Sequence, residues 1–182
     1  MEAFARTGVT RVVLTGSEST GKTTLAAELA RRYGAELVPE FVRAFAEQKG
    51  TAIDFSDHGP IARGQMALED AAIARAPRLI VQDTDLLSTV VYCRHYFGRC
   101  PPWIEEAAAA RRPDLYLLCG TDVSWIADGV RDRGHMRDEM HQLFVDAVCA
   151  SGARFLEIAG PHARRLQDAT TAIEALIADS LG

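Results

Sequence analysis

Short apolar runs alternate along the chain with longer stretches in which apolar residues recur at helical spacing. The apolar runs cover residues 11–15, 36–38, 78–81, 115–119 and 154–158. All of them except the second are continuous rather than alternating, a pattern typical of strands buried on both faces of a parallel sheet. The sequence therefore predicts five strands, most of them buried on both faces.

Between these runs the apolar residues predict helices. The first helix contains Leu25, Leu29 and Tyr33 and should end at Gly34. Two later apolar stripes are Met140, Phe144 and Val148, and then Leu166, Ile173 and Ile177, with Pro161 just inside the start of the last helix. A strand followed by a helix, repeated about five times, predicts a three-layer α/β fold with a central, mostly parallel five-stranded sheet and right-handed crossovers.

Two segments interrupt the regular alternation of strands and helices. Residues 50–60 are polar, and residues 122–137 are dense in charge and glycine. Long irregular segments in a compact domain are usually functional, and we interpret 122–137 as a lid. Because the chain has no internal repeat, low-complexity tract or linker, we expect residues 1–182 to form one domain.

Composition narrows the class of protein. The formal net charge of -5 argues against a nucleic-acid partner, which normally meets a basic face. No apolar run is long enough to span a bilayer, no signal segment is evident, and the four cysteines form no C-x-x-C pair, so we expect a cytoplasmic protein without a membrane partner. The five histidines show no metal-ligand spacing.

The strongest motif is a phosphate-binding loop between the first strand and the first helix. Residues 16–23 read GSESTGKT and fit the pattern G-x-x-x-x-G-K-[ST]. The glycines let backbone N–H groups face an anion, the lysine reaches the β- and γ-phosphates, and the threonine hydroxyl is a Mg²⁺ ligand. The residues expected to bind ATP are Gly16, Ser17, Glu18, Ser19, Thr20, Gly21, Lys22, Thr23 and Thr24.

An aspartate at the end of the third apolar run supports the same chemistry. Asp83 follows three apolar residues and Gln82, where P-loop proteins place a carboxylate beside the loop threonine to hold Mg²⁺. We predict that Thr23 and Asp83 bind Mg²⁺. The alternative is that Asp83 caps the helix that follows it.

Ligands of parallel α/β sheets bind at the carboxyl ends of the strands, so polar residues after each run are candidates for an acceptor site. Glu40 follows the second run, with Arg43 about one helical turn on, and Asp85 follows the third. Glu40 and Asp85 are the candidates for orienting or deprotonating an acceptor hydroxyl. The alternatives are charge compensation at a helix N-terminus for Glu40 and an N-cap for Asp85.

Arginines of the predicted lid and three aromatic residues complete the candidate site. Arg131 and Arg137 are expected to neutralise charge on the transferred phosphoryl group, although either could instead be a solvated surface side chain. Tyr92, Trp103 and Trp125 are candidate faces for a planar acceptor, with core packing as the alternative.

Several motifs together resemble the NadR-type ribosylnicotinamide kinase domain. They are GSESTGKTTL at 16–25, EFVR at 40–43, QDTD at 82–85, YFGRCPPW at 96–103 and DVSWIADGVR at 122–131. The resemblance extends from residue 11 to about 177, with Ser124 where that family usually has proline. It implies a P-loop kinase that phosphorylates the 5′-hydroxyl of nicotinamide riboside to give nicotinamide mononucleotide. It also implies that Glu40, Arg43 and Asp85 lie near the acceptor.

Two other functions remain compatible with the sequence. One is a kinase of the same fold that acts on another nucleoside or on a nucleotide. The other is a regulatory ATPase that acts through a protein partner. ATP hydrolysis without a small acceptor would indicate the regulatory ATPase, because a kinase should require its acceptor.

Overall fold

A parallel sheet of five strands organises the fold. The computed structural model describes residues 8–122 and 137–181. The strands are β1 (Thr10–Thr15), β2 (Glu36–Val38), β3 (Leu79–Asp83), β4 (Leu115–Cys119) and β5 (Arg154–Ile158), in the order β2-β3-β1-β4-β5. Every neighbouring pair is parallel. Residues 123–136, which include most of the predicted lid, lie outside the described residues.

Helices cover both faces of the sheet and make the fold three-layered. They are α1 (Lys22–Tyr33), α2 (Phe41–Lys49), α3 (His58–Ala74), α4 (Leu86–Phe97), α5 (Pro102–Ala110), α6 (Arg137–Ser151) and α7 (His162–Leu181). Side chains alternate across a strand, so β1 and β4 send alternate residues to α1 and α7 on one face and to α4 and α6 on the other. The α/β class and the five-stranded parallel sheet predicted from the sequence are confirmed.

The apolar stripes predicted for the helices form the core between these layers. Leu25 and Leu29 of α1 pack in one cluster with Ile173 of α7. Met140 and Phe144 of α6 pack with α4 on the opposite face of the sheet. The first helix stops where the sequence predicts, because Gly34 adopts φ +58 as its C-cap. Among the described residues, no helix is both long and apolar enough to cross a bilayer.

Three details of the sequence-based expectations are wrong. Strand β5 is exposed from Arg154 to Glu157 because it lies at the edge of the sheet, where the described residues leave it uncovered. Pro161 precedes α7 rather than standing inside it, and its carbonyl accepts the first helical N–H groups. Segment 50–60 is not irregular throughout, because a 3₁₀ turn at Phe55–Asp57, capped by Asp54, leads directly into α3 at His58.

Candidate active site

The phosphate-binding loop curls between β1 and α1, and two glycines make this path possible. Gly16 has φ +128, and a Cβ at that position would stand 2.8 Å from the carbonyl oxygen of Cys119. No other residue type fits such a close approach between two backbones. Gly21, with φ +81, is the N-cap residue of α1. The loop therefore opens at the N-terminus of a helix, where backbone N–H groups favour an anion.

Lys22 is buried within this loop. Its ammonium group donates to the carbonyl oxygens of Gly16 at 3.0 Å and Ser17 at 2.6 Å. The Ser17 hydroxyl is also buried and has no hydrogen-bond partner among the described residues. A phosphate oxygen would satisfy such a donor, and the Lys22 ammonium lies beside it with its charge available to the same anion.

The two predicted magnesium ligands contact each other directly. The Thr23 hydroxyl donates to Oδ2 of Asp83 at 2.6 Å, which joins the start of α1 to the end of β3. Burial raises the pKa of Asp83 above its ordinary value, although the hydrogen bond from Thr23 acts in the opposite direction. The Oδ1 atom of Asp83 is buried and has no hydrogen-bond partner in residues 8–122 and 137–181.

This pair fits the preferences of Mg²⁺. A hydroxyl and a carboxylate are oxygen ligands, and the unpartnered Oδ1 atom of Asp83 is an acceptor that a cation or its water would satisfy. The described part of the chain contains no group of three or more His, Cys, Asp or Glu residues that could hold a metal ion. A Mg²⁺ ion here would therefore complete its coordination with phosphate oxygens and water.

A cavity of about 930 Å³ adjoins the loop. It lies between the loop, α2, α3 and α4, and Glu18 of the loop lines it. The cavity brings together four of the residues that the sequence suggested for an acceptor site, namely Glu40, Arg43, Asp85 and Tyr92.

Glu40 enters this cavity from the start of α2. It occupies the N-cap position of that helix, but its side chain makes no capping hydrogen bond. Instead, Oε2 accepts from Nε of Arg43 at 2.8 Å. The Glu40 side chain is 7% exposed and that of Arg43 is 51% exposed, so the carboxylate is held inside while the arginine reaches toward solvent.

Asp85 combines a structural role with its position in the cavity. Its Oδ1 atom accepts from the Leu87 N–H at 3.1 Å and caps α4, as the alternative interpretation of the sequence proposed. Its Oδ2 atom accepts from the Tyr116 hydroxyl at 2.6 Å. Burial raises the pKa of Asp85 to about 6, although the Tyr116 hydrogen bond acts to lower it. Thr84, between the two aspartates, has φ +65, a strained conformation for a residue with a β-branched side chain.

Of the three aromatic candidates, the structure describes Tyr92 and Trp103, and only Tyr92 lines the cavity. Tyr92 lines the cavity, and its ring is stacked on that of Tyr96 with centroids 6.1 Å apart and an interplanar angle of 9°. Trp103 is not among the residues that line the cavity, and its ring lies 5.2 Å from the guanidinium carbon of Arg63. Trp125 lies outside the described residues.

The arginine candidates are described only in part. Arg137, the first residue of α6, donates from Nη2 to the carbonyl oxygen of Ser19 at 3.3 Å, so its guanidinium contacts the phosphate-binding loop. Arg131 lies outside the described residues. The placement of Arg137 is suited to an anion held by the loop.

A second, smaller cleft of about 440 Å³ adjoins the α1 N-terminus. Its lining includes Thr20, Gly21, Thr24, Asp122, Pro161 and His162. Arg165 of α7 forms part of its wall and is only 3% exposed. Residues of the phosphate-binding loop therefore line two cavities, one with acidic and aromatic residues and the other bordered by the segment that enters α7.

Comparison with known protein families agrees with this geometry. A family model described as an AAA domain matches residues 11–165, from β1 to the first turns of α7. The chain belongs to the AAA domain family.

A curated relative shares much of this AAA domain's sequence. The trifunctional NAD biosynthesis/regulator protein NadR of Escherichia coli strain K12 is 31% identical over 161 residues. That alignment covers 85% of this chain but 38% of the relative, so the chain spans less than two fifths of the relative's length. This similarity confirms the resemblance to the NadR-type domain that the sequence motifs indicate.

Solved structures of NadR share the fold of this AAA domain. A crystal structure of NadR protein in complex with NR superposes with a TM-score of 0.79 at 23% identity, over 92% of this chain and 49% of that one. A second, in complex with NAD and AMP-PNP, has a TM-score of 0.75 at 24% identity with the same coverage.

Two residues of this AAA domain contact the site although no sequence motif indicates them. Tyr116 is a tyrosine inside a buried apolar strand, a position where a hydroxyl needs a partner. Arg165 stands four residues before Ala169 and eight before Ile173, on the buried face of α7. An arginine on the apolar stripe of a helix is the signal that could have identified it.

Proposed function

We propose that this chain transfers the γ-phosphate of ATP to the 5′-hydroxyl of nicotinamide riboside and produces nicotinamide mononucleotide. The observation that carries the proposal is the position of Glu18. This residue belongs to the phosphate-binding loop and also lines the cavity that contains Glu40 and Asp85. A nucleotide on the loop and an acceptor in the cavity would therefore meet at this point.

The donor side of the reaction uses the loop. Backbone N–H groups at the start of α1 and the Ser17 hydroxyl would bind the phosphates, and Lys22 would leave its carbonyl partners to follow the γ-phosphate. Thr23 and Asp83 would hold Mg²⁺, which supplies positive charge against the triphosphate when bound. Arg137 already contacts the loop and would add a cation on the same side.

The acceptor side uses the two carboxylates. Both oxygens of Asp85 already accept hydrogen bonds, so its orientation is fixed and it is suited to hold the sugar. Glu40 has Arg43 as its described hydrogen-bond donor, and a carboxylate oxygen has capacity for a further donor. We assign Glu40 the role of accepting the proton of the acceptor hydroxyl.

The lining of the cavity favours a cationic acceptor. Four carboxylates, Glu18, Glu40, Glu47 and Asp85, line it together with one arginine, Arg43. Nicotinamide riboside carries a fixed positive charge on a planar ring, and the aromatic residue Tyr92 lines the same cavity. A cation–π contact with a desolvated ring is worth about 2 kcal/mol, roughly thirtyfold in discrimination against a neutral ring.

The similarity to NadR supports this choice of acceptor, because a NadR structure has been solved in complex with NR. We further propose that the second cleft receives the nucleoside part of ATP, since it adjoins the loop at Thr20, Gly21 and Thr24. We also propose that residues 1–182 form a single domain and that residues 122–137 form its lid.

A comparison of acceptors tests the proposed function. We expect ATP-dependent phosphorylation of nicotinamide riboside to exceed that of uridine, cytidine and a nucleoside monophosphate at equal concentration. The variant Glu40→Gln should retain ATP binding and lose about a hundredfold in turnover. A better rate with one of the other three acceptors would reject the assignment of nicotinamide riboside and favour a kinase of another nucleoside or nucleotide.

A further inference from the structure

Arg165 makes an unusual set of contacts for a residue of a surface helix. Its Nε donates to the carbonyl oxygen of Gly160 at 2.8 Å, and Nη1 donates to that of Thr20 at 3.1 Å. Its Nη2 donates to the carbonyl oxygen of Gly120 at 3.1 Å and also contacts Oδ1 of Asp122. The guanidinium thus joins the phosphate-binding loop to the segments that follow β4 and β5.

The charge of this buried group is balanced within the same cluster. Asp122 accepts from Arg165 through Oδ1 and from the Gly160 N–H through Oδ2. Burial acts to raise the pKa of Asp122, but these hydrogen bonds and the Arg165 charge outweigh it and hold the pKa below its ordinary value. A paired guanidinium in a rigid fork is suited to fixing several acceptors at once.

The contact with Thr20 controls one peptide group of the loop. In a planar trans peptide, the carbonyl oxygen and the following N–H point in opposite directions. Because Arg165 binds the Thr20 carbonyl, the N–H of Gly21 points away from Arg165. Gly21 has φ +81 and, as a glycine, gives this peptide little resistance to rotation of its own. The orientation of the Gly21 N–H therefore depends on a residue of α7, far along the chain.

We propose that Arg165 is a positioning residue for nucleotide binding, which acts by holding the Thr20–Gly21 peptide so that the Gly21 N–H faces the bound phosphates. This inference rests on the proposed binding of ATP at the loop. It does not depend on which acceptor occupies the cavity, because Arg165 is not among the residues that line it.

Equilibrium binding of two ligands to the full chain, without any acceptor, tests the role of Arg165. The ligands are Mg²⁺ with a non-hydrolysable ATP analogue, and Mg²⁺ with inorganic tripolyphosphate, which lacks the nucleoside. Arg165→Lys keeps the positive charge beside Asp122 but cannot reach three carbonyl oxygens with a planar fork. We expect Arg165→Lys to lower the affinity for both ligands by the same factor, about tenfold. That factor corresponds to the loss of one hydrogen bond between the Gly21 N–H and a charged phosphate.

The neighbouring arginine supplies a matched control. The side chain of Arg164 is 74% exposed and pairs with Asp168, so Arg164→Ala should bind both ligands as the wild type does. Binding is measured below the melting temperature of each variant. Arg165→Lys is used rather than Arg165→Gln because it keeps a positive charge beside the buried Asp122 carboxylate and therefore favours a folded variant.

Three results would contradict the assignment. Affinities of Arg165→Lys within about twofold of the wild type for both ligands would show that the contact does not position the loop. A loss for the ATP analogue alone would mean that the guanidinium contacts the nucleoside instead. Failure of the wild-type chain to bind either ligand would reject the proposed use of the loop itself, and with it the role of Arg165.

Discussion

At the scale of single residues, the hydrogen bond between Tyr116 and Asp85 connects the core to the cavity. Tyr116, the second residue of β4, is buried, and its hydroxyl donates to a carboxylate that also caps α4. A largely buried carboxylate that loses one of its donors is left with an unsatisfied acceptor, at a cost in stability. The position of Asp85 therefore depends on a residue that belongs to the sheet.

Substitution of Tyr116 tests this dependence. We expect Tyr116→Phe to lower the free energy of unfolding by about 1–3 kcal/mol, because it leaves Oδ2 of Asp85 buried with one donor fewer. Acceptor-dependent turnover should fall while binding of the ATP analogue is unchanged. Urea denaturation and equilibrium binding measure the two effects.

Tyr33 offers a matched control for this substitution. Its hydroxyl donates to the neutral carbonyl oxygen of Thr170 at 3.3 Å, a longer bond to an uncharged group. Tyr33→Phe should therefore cost less stability than Tyr116→Phe and leave turnover unaltered. Equal losses of stability in the two variants, with normal turnover in both, would contradict the link to Asp85.

At the residue scale, the sequence predicts proximity where a motif fixes the positions of two residues relative to their strands. The pairing of Thr23 with Asp83 was predicted because each residue stands at a fixed position relative to a strand. The Arg165 contacts were not predicted, because three of its partners are backbone carbonyl oxygens. Carbonyl groups are present at every residue, so no side-chain pattern indicates which of them an arginine will meet.

At the scale of elements, the phosphate-binding loop has little room because β4 lies beside it. The backbone of Gly16 passes the backbone of Cys119 so closely that a Cβ would stand 2.8 Å from a carbonyl oxygen. A backbone atom cannot move aside as a flexible side chain can. The glycine therefore follows from the packing of β1 against β4 as well as from phosphate binding.

Two alanine substitutions distinguish the effect of a steric clash at the new Cβ atom from the effect of a positive φ angle. Gly16→Ala should lower the free energy of unfolding by about 2 kcal/mol or more and abolish binding of the ATP analogue, since both φ +128 and the clash oppose it. Gly34→Ala, at φ +58 with open space around its Cβ, should cost only about 1 kcal/mol and retain binding. Urea denaturation and equilibrium binding of both variants provide the comparison, and normal binding by Gly16→Ala would contradict it.

The strands were predictable from the sequence because central strands of a parallel sheet are apolar throughout. Strand β4 is buried at all five positions, as its sequence indicates, and β3 is buried at all five although it ends in Gln82 and Asp83. The sequence of β5 is also largely apolar. Because this strand lies at the edge of the sheet, Phe155 is 42% exposed. The order of the strands depends on the whole sheet, so the apolar pattern of a single segment does not predict it.

At the scale of the whole molecule, the strand order explains why the site forms where it does. Strands β3 and β4 lie on either side of β1, so Asp83 and the segment after Cys119 flank the phosphate-binding loop. Strand β2 lies beyond β3 and carries Glu40 on the segment that follows it. Parallel strands direct all of these residues to one edge of the sheet, as expected for ligand sites of α/β folds.

In the proposed function, the loop adjoins two regions, the second cleft for the donor and the larger cavity for the acceptor. We propose that the two regions act together, so that ATP is consumed only when an acceptor is present. A regulatory ATPase of the same fold would need only the donor region. The dependence of ADP formation on the acceptor therefore distinguishes the two functions.

The most direct test measures ADP formation from ATP and Mg²⁺ with and without nicotinamide riboside, with mass analysis of the product. We predict that ADP forms only with the acceptor, in equal amount to nicotinamide mononucleotide. Lys22→Ala should abolish this turnover in a folded protein, because it removes charge worth several kcal/mol in the barrier, whereas Arg31→Ala, at an 80% exposed position of α1, should leave it unchanged. ADP formation at the same rate without nicotinamide riboside, or wild-type turnover by Lys22→Ala, would contradict the account.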